Sequence, residues 1–141
     1  MKTLRSLSTL VLMVFTLSAF ASDEAATEKL SMNYAVKTYL DAVSLGKLKG
    51  LAQVLDPEIK FTSTRGQQII RHSKSDILSI FRNNENIRQN CVTDYTVMDV
   101  NTRQAVVKVT MKYENFSKIE ILNMVNTARG WKITDVSTTF I

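Results

Sequence analysis

The stretch from Cys91 to Ile141 reads CVTDYTVMDVNTRQAVVKVTMKYENFSKIEILNMVNTARGWKITDVSTTFI, and it decides the fold. It contains four runs rich in β-formers, separated by short polar turns at intervals of about ten residues. Successive strands joined by short turns pair with their neighbours, so the stretch predicts an antiparallel meander. The four runs are Cys91–Val100, Ala105–Tyr113, Lys118–Asn126 and Trp131–Phe140.

The third run is apolar on both of its faces. Ile119, Ile121 and Val125 share one parity, whereas Leu122 and Met124 share the other. A sheet with helices on one side should carry polar residues on the other side. We therefore expect Leu122 and Met124 to form an exposed apolar patch on the outer face of the sheet.

The residues upstream of this sheet predict two helices. Glu28 to Leu45 carries apolar residues at helical spacing, with Thr27 as a candidate N-cap, and Gly46 is placed to end the helix. A second, short helix is predicted from Lys47 to Leu55, and Asp56-Pro57 ends it because a residue before proline avoids the helical region.

A hairpin and a third helix complete the upstream part. Apolar and polar residues alternate in the first strand, Arg65-Gly66 is a plausible turn, and Ser73 with Asp76 resembles a capping box. The whole pattern predicts an α+β domain in which three N-terminal helices pack on a curved, mostly antiparallel sheet. The hairpin strands are Glu58–Thr64 and Gln67–Arg71, and the helix is Lys74–Asn83.

The first 21 residues have the three parts of a signal peptide. Lys2 and Arg5 precede an apolar run from Leu7 to Leu17, and Ala19-Phe20-Ala21 gives the small-x-small cleavage pattern. The run is short for a membrane span, although an uncleaved anchor is the alternative. We predict a signal peptide at 1–21, a flexible tail at 22–27, one domain at 28–141, and a periplasmic or secreted protein with no membrane attachment after cleavage.

Charge and composition exclude several function classes. The net charge is +5, and removing Lys2 and Arg5 with the leader lowers it to +3. The remaining basic residues form no stripe, which argues against a nucleic-acid partner. With one cysteine, Cys91, and one histidine, the sequence has no metal-site spacing, and nothing in it indicates a cofactor.

Several short motifs occur in the order of these elements. They are Tyr39-Leu40-Asp41-Ala42, Leu45-Gly46, Leu51-Ala52, Val54-Leu55-Asp56-Pro57, Ile59-Lys60-Phe61 and Gly130-Trp131-Lys132-Ile133. The motifs and the order of elements resemble the nuclear transport factor two-like fold, and the exported family described as "Putative lumazine-binding" looks most similar. The resemblance covers about Lys29 to Phe140. It implies a cone-shaped domain whose curved sheet wraps a long helix and leaves a pocket.

Five aromatic residues fall on the predicted inner faces of this cone. Aromatic side chains there either pack in the core or line an apolar pocket for a small molecule or peptide. The pocket interpretation makes the protein an exported, non-enzymatic binding protein; a cone filled by its own side chains would leave a pure interaction module. The five residues are Tyr39, Phe61, Phe81, Tyr113 and Trp131.

The alternative is an isomerase- or dehydratase-like enzyme, because enzymes on this fold place an Asp, His or Tyr inside the cone. The sequence offers His72, Asp94 and Asp135 as weak candidates. His72 precedes the third helix and is expected to be exposed, whereas parity places Asp135 inward with Trp131 and Ile133. An ionisable residue at the floor of the cone with a hydrogen-bonding partner would favour the enzyme.

The resemblance also implies an assembly. Related folds commonly dimerise through the outer sheet face. We therefore predict a homodimer whose interface includes Leu122 and Met124.

Overall fold

The computed structural model describes residues 24–141. A long helix is followed by a short helix, a β-hairpin, a third helix, and then the four predicted strands. The bounds are α1 Met32–Leu45, α2 Leu51–Val54, β1 Leu55–Arg65, β2 Gln68–His72, α3 Lys74–Asn83, β3 Val92–Val100, β4 Gln104–Lys112, β5 Ser117–Thr127 and β6 Gly130–Phe140.

The six strands form one sheet in the order β2-β1-β6-β5-β4-β3. Strands β3 to β6 pair in sequence as antiparallel neighbours, which confirms the predicted meander. Strand β1 pairs in parallel with β6, and the hairpin of β1 and β2 therefore joins the sheet through β6. The fold is the predicted α+β arrangement, with the helices on the inner face of a mostly antiparallel sheet.

Helix α1 begins at Met32, four residues later than its apolar pattern suggests. Ser31 caps it by accepting a hydrogen bond from the Tyr34 amide at 3.1 Å, the role predicted for Thr27. Residues 24–28 form a separate helical segment, and a turn follows at residues 29–30. The predicted capping box of α3 is confirmed, because Ser73 and Asp76 bond each other's backbone amides.

The second helix is also shorter than predicted, and two lysines from elsewhere in the chain satisfy its last carbonyls. Lys74 donates to the carbonyl oxygens of Ala52 and Leu55 at 2.7 and 2.8 Å. Lys132 donates to the carbonyl of Gln53 at 2.5 Å. Cations at a helix C-terminus replace partners that the backbone lacks, so these contacts fix α2 against α3 and β6.

Gly46 ends α1 in a left-handed conformation, with φ of 65°. A Cβ there would lie 2.7–2.8 Å from backbone atoms of the loop that follows α3, including the Asn84 carbonyl oxygen and the Asn86 amide. The same loop is bonded to Gly46, whose carbonyl accepts from Asn86 at 2.9 Å. The glycine therefore allows the C-terminus of α1 to pack directly against the loop that follows α3.

Replacing Gly46 by alanine is expected to lower the free energy of unfolding by more than about 2 kcal/mol, since left-handed backbone and a backbone clash add together. Gly66 is the matched control, because it has a similar φ of 61° and a methyl group on its Cα would meet nothing within 4 Å. Urea denaturation measures both variants. Equal losses for Gly46→Ala and Gly66→Ala would show that the clash with the loop is absent.

The structure reverses the expected orientation of β5. Leu122 and Met124 are 0% and 1% exposed and lie in the core, so the prediction that they form an outer patch is wrong. The physical reason is the register: Leu122 pairs with Val107 of β4 and Val136 of β6, both fully buried. The outer face of β5 instead carries Ile119, Ile121 and Val125, all partly exposed.

The prediction for Asp135 is wrong for a related reason. The pairing of β5 with β6 shifts between Asn123 and Met124, so that Thr134 is an extra residue in β6. A bulge reverses the parity of everything beyond it. Asp135 consequently lies on the outer face, where it accepts from Ser137 Oγ at 3.2 Å and from Asn123 Nδ2 at 3.4 Å.

The predicted signal peptide at 1–21 and the first part of the predicted tail at 22–27 lie outside the described residues. Within residues 24–141, each helix is too short or too polar to cross a lipid bilayer.

Candidate functional site

A cavity of about 270 Å³ lies between helix α3, the β1–β2 hairpin and the ends of β5 and β6. We call it the main cavity. Apolar side chains from α3, the hairpin and β6 form its walls, and polar groups lie at its floor and rim. The lining residues are Tyr39, Phe61, Thr62, Ser63, Thr64, Arg65, Ile70, His72, Ile77, Ile80, Phe81, Lys118, Glu120, Thr138 and Phe140.

Glu120 is the centre of a buried polar cluster in this cavity. The residue is 3% exposed, and Val109, its cross-strand partner on β4, is fully buried. Its Oε2 accepts from the Tyr39 hydroxyl at 2.9 Å, and its Oε1 accepts from Thr138 Oγ1 at 3.3 Å. Lys118 Nζ lies 2.6 Å from the same Oε1. We call Tyr39, Lys118, Glu120 and Thr138 the polar floor.

Each member of the polar floor is positioned by regular structure. Lys118 and Glu120 are two residues apart on β5 and therefore point to the same face. Thr138 is the cross-strand partner of Glu120 on β6. Tyr39 reaches the cluster from α1, where it is 1% exposed. A carboxylate in this setting needs a counter-charge and donors, and the three neighbours supply them.

The Tyr39 hydroxyl is held in its neutral form. Burial raises its pKa well above the usual value, and the negative charge of Glu120 and the hydrogen bond to it act in the same direction. The Tyr39 hydroxyl therefore stays protonated and donates a hydrogen bond to Glu120 over the whole physiological pH range.

His72 lines the main cavity, contrary to the expectation that it would be exposed. It is the last residue of β2 and pairs with Phe61 of β1, whose side chain is also in the cavity wall. Its surroundings include Asp76: hydrogen bonds from Ser73 lower the pKa of Asp76, and the charge of His72 adds to the effect.

A second cavity of about 210 Å³ lies between α1, α3 and the sheet, and it shares Ile80, Phe81 and Lys118 with the main cavity. Tyr113 lines this second cavity rather than the main one. Its ring stacks on Phe116 with centroids 4.5 Å apart. Burial, followed by the nearby Cys91 thiol, raises the pKa of Tyr113 to about 12.

Three of the five predicted aromatic residues meet in the main cavity, namely Tyr39, Phe61 and Phe81. Trp131 lines neither cavity and packs against the core at the opposite end of β6 from Phe140. Asp94 is exposed on β3, where it accepts from the amide of Tyr95. With Asp135 on the outer face, His72 is the one predicted acid–base candidate in the cavity wall.

Lys118 and Glu120 are the site residues that sequence reasoning missed. A glutamate within a strand is ordinarily solvated, and no sequence motif marks these two. The one signal was parity, since Glu120 is in step with Leu122 and Met124 in a strand where both faces are apolar. Within residues 24–141, no group of three or more His, Cys, Asp or Glu side chains is arranged to hold a metal ion.

Solved structures of low sequence identity share the fold. An NTF2-like protein of unknown function from Silicibacter pomeroyi aligns with a TM-score of 0.66 at 12% identity, over 86% of this chain and 98% of that one. An NTF2-like protein from Cytophaga hutchinsonii gives 0.61 at 17% identity, over 78% and 95%. A putative ketosteroid isomerase from Shewanella frigidimarina gives 0.56 at 16% identity, over 75% and 92%.

No curated protein sequence matches the chain. The model of the family described as "Putative lumazine-binding" matches residues 27–140, a range that contains every residue lining the main cavity. The chain therefore belongs to the "Putative lumazine-binding" family and has the nuclear transport factor two-like fold.

Proposed function

We propose that the protein is a non-enzymatic binding protein that holds a small molecule in the main cavity. The observation that carries the proposal is the polar floor, in which Glu120 has three partners at the end of a cavity whose walls carry six apolar side chains. Binding sites commonly combine apolar walls with a few placed polar groups that orient the ligand. The family description supports a ligand pocket, and a volume of about 270 Å³ favours a small molecule over a peptide.

Native mass spectrometry of the purified chain tests this proposal by detecting a co-purified mass. Ligand-observed NMR with a fragment library tests it independently. Thr138→Trp is expected to fill the cavity and abolish fragment binding, whereas Thr139→Trp, on the opposite face of β6, should leave binding unchanged. The absence of any bound mass or fragment in the native chain, or equal binding by both variants, would refute the proposal.

A second function is favoured by a different observation. His72 in the cavity wall and Glu120 at the floor are ionisable groups that line the same cavity, the arrangement that an isomerase- or dehydratase-like enzyme needs. In this alternative, His72 or Glu120 moves a proton on a bound substrate. Proton NMR in D₂O with cyclic ketones tests it: deuterium should enter the α-carbon faster than in buffer, and His72→Gln or Glu120→Gln should abolish the increase.

We also propose that the chain is exported and that it dimerises through the outer sheet face. Export is supported by the leader-like first 21 residues, and the N-terminal sequence of the mature chain should begin at Ser22. Dimerisation is supported by Ile119, Ile121 and Val125, which lie on the face that no described helix covers. Partly exposed aliphatic residues in adjacent positions are typical of interaction surfaces.

Ile121→Lys is expected to convert the dimer to a folded monomer, because it places a charge at the centre of the proposed interface. Size-exclusion chromatography with light scattering measures the mass, and circular dichroism checks the fold. Val100→Lys is the control, since Val100 is already 53% exposed at the end of β3. A monomeric native chain at micromolar concentration would contradict the dimer.

A further inference from the structure

The charges around the main cavity are unequal. Three of the lining residues are basic, namely Arg65, His72 and Lys118, and Glu120 is the one acid among them. Glu120 is already bonded by Tyr39, Thr138 and Lys118, and its ion pair with Lys118 is neutral as a unit. The groups that remain for a ligand are therefore the free N–H donors of Lys118, the imidazole of His72 and the guanidinium of Arg65.

Lys118 is the most strongly placed of these cations. Its side chain is 23% exposed, and its ammonium lies 2.6 Å from Glu120 Oε1. An ammonium carries three N–H donors, so one bond to Glu120 leaves two for an acceptor in the cavity. The Lys118 side chain borders on both cavities.

Arg65 adds a positive charge at the rim of the main cavity. It ends β1, is exposed, and makes no ion pair with any carboxylate of the described residues 24–141. A guanidinium at the entrance attracts anions and raises their rate of association, although solvent weakens its contribution to affinity. Lys118 at the floor and Arg65 at the rim therefore favour the same sign of ligand charge.

The volume of the main cavity limits the size of the ligand, and its walls limit the polarity of the ligand. A cavity of about 270 Å³ is near the lower end of the range for small-molecule sites, which suits a body of one or two rings. Aromatic and branched aliphatic side chains form most of its wall, which favours an apolar body. The apolar wall residues are Phe61, Ile70, Ile77, Ile80, Phe81 and Phe140.

From these observations we infer that the ligand is a small organic anion, with an apolar one- or two-ring body and a carboxylate or similar oxyanion bound by Lys118. The ammonium bridges Glu120 and the ligand oxyanion, while Tyr39 holds the other carboxylate oxygen of Glu120 and Thr138 donates to the same oxygen as Lys118. Charge-assisted hydrogen bonds of this kind are roughly twice as strong as neutral ones. The inference rests on the proposed binding function and adds the chemical class of the ligand.

Isothermal titration calorimetry with three probes of similar shape tests the inference: 2-naphthoate, 2-naphthamide and 2-(aminomethyl)naphthalene. The carboxylate is expected to bind at least about tenfold more tightly than the amide, and the amine more weakly than both. Equal or tighter binding of the amide or the amine would overturn the inference and leave the binding function intact. Failure of the carboxylate to bind the native chain would also overturn the inference, whereas the binding function is decided separately by the native mass spectrometry and the fragment screen.

Substitution of the ammonium assigns the effect to Lys118. The double variant Lys118→Met/Glu120→Gln removes both charges of the pair together, so it avoids leaving one of them buried alone. It should lose at least about tenfold in affinity for 2-naphthoate and little for 2-naphthamide. Lys112→Met, an exposed lysine outside both cavities, should bind both probes as the native chain does. Unchanged carboxylate binding by the double variant would refute the role of Lys118.

Discussion

Replacing Glu120 by glutamine is expected to lower the free energy of unfolding by about 2–3 kcal/mol. The change leaves the Lys118 ammonium without its counter-charge, and removing one partner of a buried ion pair costs about 3–5 kcal/mol. The 23% exposure of the Lys118 side chain reduces that cost, because water partly solvates the ammonium. Glutamine keeps a carbonyl oxygen for the Tyr39 hydroxyl, so the loss reports mainly on the charge.

Urea denaturation of three chains measures this effect. The double variant Lys118→Met/Glu120→Gln should recover most of the stability that Glu120→Gln loses, since it leaves no unpaired charge in the site. A single variant within about 0.5 kcal/mol of the native chain would contradict the buried ion pair. So would a double variant as unstable as the single one.

Leu122→Ala is expected to cause the larger loss, about 3–5 kcal/mol, because Leu122 is fully buried and truncation leaves a cavity between β4 and β6. Ile121→Ala is the matched control on the neighbouring position. Its side chain points to the outer face, so its loss should be about 1 kcal/mol or less in the monomer.

The pair of variants also tests the register of the sheet. A slip of one residue moves every side chain of a strand to the other face. If Ile121→Ala proved more destabilising than Leu122→Ala, the pairing of Leu122 with Val107 and Val136 would be wrong. Urea titration at a concentration where the chain has one oligomeric state separates this effect from dimer dissociation.

The architecture was largely predictable because its local signals are strong. The alternation in β4 places Ala105, Val107, Val109 and Met111 on one face, and all four are buried. The capping box at Ser73 and the left-handed stop at Gly46 each depend on three or four adjacent residues. Signals of this kind arise from backbone geometry within one turn, so they do not depend on which elements pack against them.

The faces of β5 and the site were not predictable, because they depend on pairing between strands. An apolar run on both faces gives no preferred parity, and only the register with β4 decides that Leu122 is internal. No residue type at Thr134 marks the bulge, yet the bulge moves the Asp135 side chain to the outer face of the sheet. Glu120 acquires its role from Tyr39, 81 residues earlier, and from Thr138, 18 residues later.

The place of β6 in the sheet has a consequence for the order of events in folding. The hairpin of β1 and β2 is made early in synthesis, but apart from each other these two strands have only β6 as a sheet neighbour. Thr138 and Phe140 of β6 also line the main cavity. The nascent chain therefore cannot complete the main cavity until residue 140 has emerged, and long-range pairing of this type is slow. Until β6 is in place, the edge of β1 that will pair with it stays unpaired and open to chaperones.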